Sequence, residues 1–263
     1  MQEGLYIASS AGVKQHRKLE VISNNLANLN TPGFKKDDLV FKEMVPPFAA
    51  QESMANNRNT LLPMGLSNHA VSYVEVNGQT TDFQQGTLLN TGNDLDLALD
   101  GDGFFAVTTP QGTRYTRVGN FKLNEQGQFV DKNGHLIQTT DDKPLLIPPT
   151  GGQITIDRQG TVSIGSGLEV QPVGQVKVVR FEDQSALLKE GDGMYVMEDP
   201  DQQPLPNEQA SVMQGFVETS NVSAIEEMSK MIQTVRTFEA YQRIIQSIDE
   251  ADQNSVNSIA RLA

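Results

Sequence analysis

From Val217 to Ala263 the chain contains neither proline nor glycine, although 12 prolines and 22 glycines are spread through the residues before it. These are the residues that disfavour a helix interior most, by about 3 and 1 kcal/mol relative to alanine. The carboxy-terminal stretch is therefore free to form one helix of roughly 60 Å. Ser223 and Glu226 stand in the spacing of a capping box, which satisfies free backbone N–H groups at a helix start. Ile225, Met228, Ile232 and Val235 follow with heptad spacing. After a three-residue phase slip, Phe238, Tyr241, Ile245, Ile248, Ile259 and Leu262 carry an apolar stripe onward, interrupted by Asp252 and Ser255.

The opposite end carries a matching pattern. Leu5, Ala8, Gly12, Gln15, Leu19, Ile22, Leu26 and Leu29 alternate in steps of three and four, the seam of a coiled coil. A helix of about 40 Å is expected to end near Asn30, because Thr31 precedes Pro32 and is pushed out of the helical region. Thr31-Pro32-Gly33 then reads as a type II turn. Four asparagines, Asn24, Asn25, Asn28 and Asn30, crowd this helix end. With Leu19 and Leu26 as first core positions of the heptad, Asn24, Asn25 and Asn28 fall on its flank and outer face. A short neutral amide that both donates and accepts suits contact with neighbouring chains there.

Between the ends, short runs alternate with a period of two and are separated by Gly-, Asn- or Asp-bearing turns: "DLDLALD", "GFFAVTT", "TRYTRVGNFKLN", "GQFVD", "QITIDRQGTVSI", "GQVKVVRFED" and "GMYVME". Their close spacing leaves no room for crossover helices, so the sheet is antiparallel. The reading is an α+β chain: 1–30 helix, 31–83 extended connector, 84–218 central all-β domain, 219–263 helix, with the terminal helices paired as a coiled coil.

A net charge of −13 argues against sequence-independent nucleic-acid binding, and also against an anionic lipid surface. Without cysteine there is no disulfide, thiolate nucleophile or thiolate metal site. Asp94, Asp96, Asp100 and Asp102 invite a calcium loop, but the oxygen ligand, glycine and glutamate that such a loop needs are absent at Phe104, Phe105 and Gln111. They read instead as a solvated face opposite Leu95, Leu97 and Leu99. His16, His69 and His135 lie in a helix, the connector and a β turn. No catalytic string, metal ligand set or cofactor fingerprint is present. The amino terminus lacks the pattern of a cleaved secretory signal. A secreted β-rich binding module with helical stalks would need an aromatic or carboxylate-rich concave site, and the chain has five tyrosines and no tryptophan.

Helices of roughly 40 and 60 Å are long for covering a β domain whose radius of gyration is about 14 Å. Something outside the monomer is expected to cover them. The chain resembles the flagellar rod and hook proteins in "NNLANLNTPGFKK", "TDFQQGTLLNTGNDLDLALDGDGFFAV", "YTRVGNFKLNEQGQFVDKNGH" and "GFVETSNVSAIEEMSKMIQTVRTFEAYQRIIQSID". The resemblance implies a non-enzymatic structural subunit of the bacterial flagellar basal body, with paired terminal helices forming an inner tube and the β domain outside it. It implies export without a cleaved signal through the flagellum's own type III apparatus, no cofactor, and partners that are copies of itself and other rod proteins. The extension "EADQNSVNSIARLA" is more similar to a proximal than a distal rod subunit. Terminal segments of this kind are expected to fold as they meet each other and neighbouring subunits, since one heptad stripe alone buries too little to offset ordering entropy.

Overall fold

The computed structural model describes residues 2–44, 73–148, 152–166, 169–199, 204–207 and 209–260. It is an α+β chain that divides into two compact units. The first holds helix α1 (Gln2–Ala27), a two-stranded sheet of Asp37–Met44 with Tyr73–Thr81, and helix α2 (Ala224–Ala260). Strands thus occupy both described ends of the stretch expected to be an extended connector. Residues 45–72, including His69, lie outside the described residues.

Helix α1 stops at Ala27, three residues before the expected Asn30. The chain there is already turning: the Thr31 N–H donates to the Asn28 carbonyl at 3.1 Å, and Phe34 N–H to the Thr31 carbonyl at 3.2 Å. Gly33 sits at φ +68°, which together with the second bond matches the type II turn that Pro32-Gly33 encodes. Leu29 therefore belongs to the turn. At the other end α2 begins at Ala224, directly after Ser223, with Glu226 and Glu227 in its first turn.

The second unit comprises residues 27–36 and 81–223. Its strand pairs are antiparallel throughout. Among the described residues the largest sheet has nine strands, with Phe104–Thr109 between Gly112–Thr116 and Leu136–Ile137. A three-stranded sheet of Gln153–Ile156, Thr161–Ser166 and Glu169–Gln175 stands beside two short ribbons, Ser211–Gln214 with Leu97–Asp100 and Phe216–Glu218 with Leu88–Asn90. Alternation along Phe104–Thr109 feeds two separate cores. Phe105 packs with Leu97, Phe121, Phe129 and Ile137; Phe104 and Ala106 turn the other way onto Tyr115, Phe181 and Tyr195. Phe105 and Phe121 meet edge to face at 5.5 Å, the geometry that ring quadrupoles favour.

The aspartate run departs from its expected parity. Asp94, Asp100 and Asp102 are exposed, but Asp96 is buried and accepts a hydrogen bond from the Thr91 hydroxyl at 2.7 Å. Leu97, Ala98 and Leu99 are all buried, because this strand is covered on both sides rather than half solvated. Among the described residues no three His, Asp or Glu side chains gather as a metal site.

Candidate functional site

On α1, Ala8, Gly12 and Ile22 are buried, while Leu5, Gln15, Leu19 and Leu26 are half-buried. On α2 the result is different. Ile225, Met228 and Ile232 are 80%, 55% and 56% exposed, and Val235 is exposed as well, so the first half of the apolar stripe does not face α1. Glu227 and Thr234 are buried, and Met231, Phe238, Tyr241, Ile245 and Ile248 are half-buried in line with them. They run in steps of four and three with no phase slip. Upstream of Phe238 the inward seam is thus largely polar, and the apolar stripe lies roughly a third of a turn around the helix. The side chain of Ile259 and the whole of Leu262 lie outside what is described.

Three contacts place the two helices side by side with opposed directions. A Cβ at Gly12 would come 4.0 Å from the Phe238 ring, and the His16 ring centroid lies 6.5 Å from that of Phe238. About three turns further along, Asn25 meets Glu227. Asn25, expected on the flank and in contact with neighbouring chains, is buried within this chain. Its Nδ2 donates to the Asp37 carbonyl at 2.9 Å and to Glu227 Oε2 at 3.3 Å, and its Oδ1 accepts from the Asp37 N–H at 3.0 Å. The amide behaves like a strand backbone toward Asp37 and leaves one donor for the carboxylate. Lys230 Nζ donates to the other oxygen of Glu227 at 2.7 Å, a bond that raises the Lys230 pKa above the ordinary lysine value. Asn24 is exposed; Asn28 is half-buried and accepts from the Thr31 hydroxyl at 3.1 Å, within the turn.

In the second unit the residues after the turn enter a buried ionic cluster. Lys35 Nζ donates to Glu218 Oε1 and to the Gln84 carbonyl, each at 2.6 Å. Gly86 N–H donates to the same oxygen at 2.8 Å, and Arg117 Nη1 to Oε2 at 3.2 Å. The side chains of Lys35, Arg117 and Glu218 are at most 2% exposed. Burial holds the Lys35 ammonium below the usual lysine range, opposed by its attraction and hydrogen bond to Glu218. Asn221 closes the cluster, accepting from Lys36 N–H at 2.8 Å and donating to the Asp82 carbonyl at 2.8 Å. Lys189 Nζ stands 3.8 Å over the Phe34 ring and donates to the Lys35 carbonyl at 2.8 Å. Four distant segments, Gly33–Lys36, Asp82–Gly86, Arg117 and Glu218–Asn221, are joined at this point.

Residues 5–35 match the family described as flagella basal body rod protein, 98–164 the flagellar hook protein FlgE/F/G D1 domain, and 213–259 the flagellar basal body rod FlgEFG protein C-terminal family. The flagellar basal-body rod protein FlgF of Caulobacter vibrioides is 34% identical, over 89% of this chain and 88% of its own. The chain belongs to the flagellar basal-body rod protein family. Rod proteins named FlgG are similar to the same degree: that of Buchnera aphidicola subsp. Schizaphis graminum is 34% identical over 89% of this chain and 91% of its own, and that of Bacillus subtilis 32% over 88% and 89%. As a member of this family, the rod protein is a structural subunit of the flagellar basal body. The matched segments contain every residue of the helix seam named above, as well as Lys35 and Glu218. Heptad counting missed Glu227 because it is charged, and Lys35, Arg117 and Glu218 carry no local sign of meeting.

Proposed function

We propose that this rod protein polymerises head-to-tail with copies of itself and with other rod proteins into a hollow helical drive shaft, which transmits torque and lets exported subunits pass. Contacts of that kind do not close into a ring, and so they extend an open tube. The observation that carries the reading is the exposed stripe Ile225, Met228 and Ile232 on α2. A helix face this apolar is covered in the working state, and each such side chain contributes roughly 1.5–3 kcal/mol when fully buried. The proximal rod is the favoured position, on the carboxy-terminal extension past "IIQSID". The subunit would leave the cell through the flagellar export apparatus.

Ile232→Asp tests the stripe. Rod completion in a strain lacking the native chain should fail, while the purified variant melts close to the wild type, because Ile232 is 56% exposed. Full rods built from the variant would refute the assignment.

A further inference from the structure

Helix α1 ends at Ala27 and α2 begins at Ala224. Were the chain between them slack, pairing the helices would close a loop of roughly 200 residues, and the probability of closing a loop falls as about the 3/2 power of its length. Upstream of Phe238 the seam on α2, with Glu227 and Thr234 buried in it, has little apolar surface to set against that cost. The second unit shortens the loop. The chain passes between the two units after residues 26, 36, 80 and 223, and inside the second unit the residues beside these points are bonded to one another. Asn221 Oδ1 accepts from the Lys36 N–H at 2.8 Å, and its Nδ2 donates to the carbonyls of Asp82 at 2.8 Å and Gln84 at 3.1 Å. The Asp82 N–H donates to the Lys36 carbonyl at 2.9 Å, and the Gly33 N–H to the Glu218 carbonyl at 2.8 Å. The buried Lys35–Glu218 ion pair joins the same stretches through side chains.

We propose that the β unit is a template for the helix pair. By holding residues 33–36 beside 218–221, it turns the joining of α1 and α2 into closure of a tether of about 12 residues, 28–36 and 221–223, and the ratio of roughly 200 to 12 is worth about 70-fold in the pairing constant. Strands Asp37–Met44 and Tyr73–Thr81, which pair in the first unit, gain in the same way. One begins and the other ends directly beside the bond between Lys36 and Asp82. Folding then has an order: the sheets of the second unit form first, and the two-stranded ribbon and the helix pair close onto ends that are already together. The template is independent of whether the chain builds a rod, since every group in it belongs to one subunit.

Flexible Gly/Ser inserts between Val222 and Ser223 of the full-length protein test the template, because they leave Asn221 in the second unit and keep the Ser223 cap on α2. Inserts of about 12 and 36 residues double the tether once and twice. Native-state hydrogen exchange is read at the amides of Ile22 and Thr234, buried seam positions on the two helices, and at Phe105 and Tyr195, buried in the sheet. Each doubling should lower the protection of both seam amides by roughly 2.8-fold and leave the sheet amides unchanged. If the helices instead pair across a slack chain, even the longer insert lowers protection by only about 1.3-fold, and that result would overturn the proposal. So would an equal drop at both lengths, which marks local damage at the insertion point, an equal fall at the sheet amides, or seam amides that are unprotected in the unmodified chain.

Discussion

Replacing Glu218 by Gln leaves the shape of the buried cluster almost unchanged and removes its negative charge. Glu218 receives hydrogen bonds from Lys35 Nζ, Gly86 N–H and Arg117 Nη1. In the variant one amide oxygen can still accept, but the –NH₂ group faces a cation, and two buried cations are left without a carboxylate. Breaking a buried pair by removing one partner costs about 3–5 kcal/mol. For a domain of this size about 1 kcal/mol moves Tm by roughly 2–4 °C, so the β unit should melt about 10 °C lower in far-ultraviolet circular dichroism. The loss should also depend on pH. Lys35 has a folded pKa below its unfolded 10.5, so between those two values the unfolded chain holds more protons and stability rises with pH. Without Glu218 to oppose burial the folded pKa falls further and the interval widens. The deficit of Glu218→Gln should therefore shrink as pH is raised toward 10.5. The triple replacement Lys35→Met, Arg117→Met and Glu218→Leu should recover most of the stability, since apolar substitutes for a buried ionic group are often neutral or better. A melting point for Glu218→Gln within about 2 °C of wild type would refute the argument, because it corresponds to less than about 1 kcal/mol.

Gly33→Ala should destabilise the β unit by at least about 1 kcal/mol, measured by urea unfolding with an unchanged m-value. Gly33 holds φ +68°, and an added Cβ would lie 2.6 Å from the backbone of Arg117 and Val118; an effect below a few tenths would contradict the close approach. Lys230→Met should destabilise at neutral pH by about 1–3 kcal/mol, because it leaves the Glu227 carboxylate, 3% exposed, without its cation, while the lysine's own 37% exposure keeps the cost below that of a fully buried pair. The folded pKa of Lys230 is raised, so its contribution is fully present below 10.5 and disappears as pH rises through the folded pKa; no loss at neutral pH would contradict this.

The β unit was largely legible because its signals are local. Phe104–Thr109 alternates, and Gly127 and Gly134, at φ +74° and +88°, mark turns where glycine is needed. The Pro32-Gly33 turn was legible for the same reason. What failed was the inference from apolarity to direction. Ile225, Met228 and Ile232 form the best heptad at the start of α2, yet Glu227 and Thr234 face inward there, since Phe238, Tyr241, Ile245 and Ile248 fix the rotation of a continuous helix. Apolar spacing shows that a face will be covered, not by which chain. Asn25 lies on a heptad flank, where spacing points to contact with neighbouring chains, whereas its amide is bound to the backbone of Asp37 within the same chain. The cluster of Lys35, Arg117 and Glu218 could not have been read at all: its members are separated by 82 or more positions and meet only through the sheet.

Electron cryo-microscopy of purified basal bodies containing this chain, at a resolution that shows side chains, is the most direct test. Ile225, Met228 and Ile232 should lie against helices of neighbouring subunits, while Asn25 and Glu227 remain paired within one subunit. A rod in which that stripe faces the central channel or open solvent would contradict it.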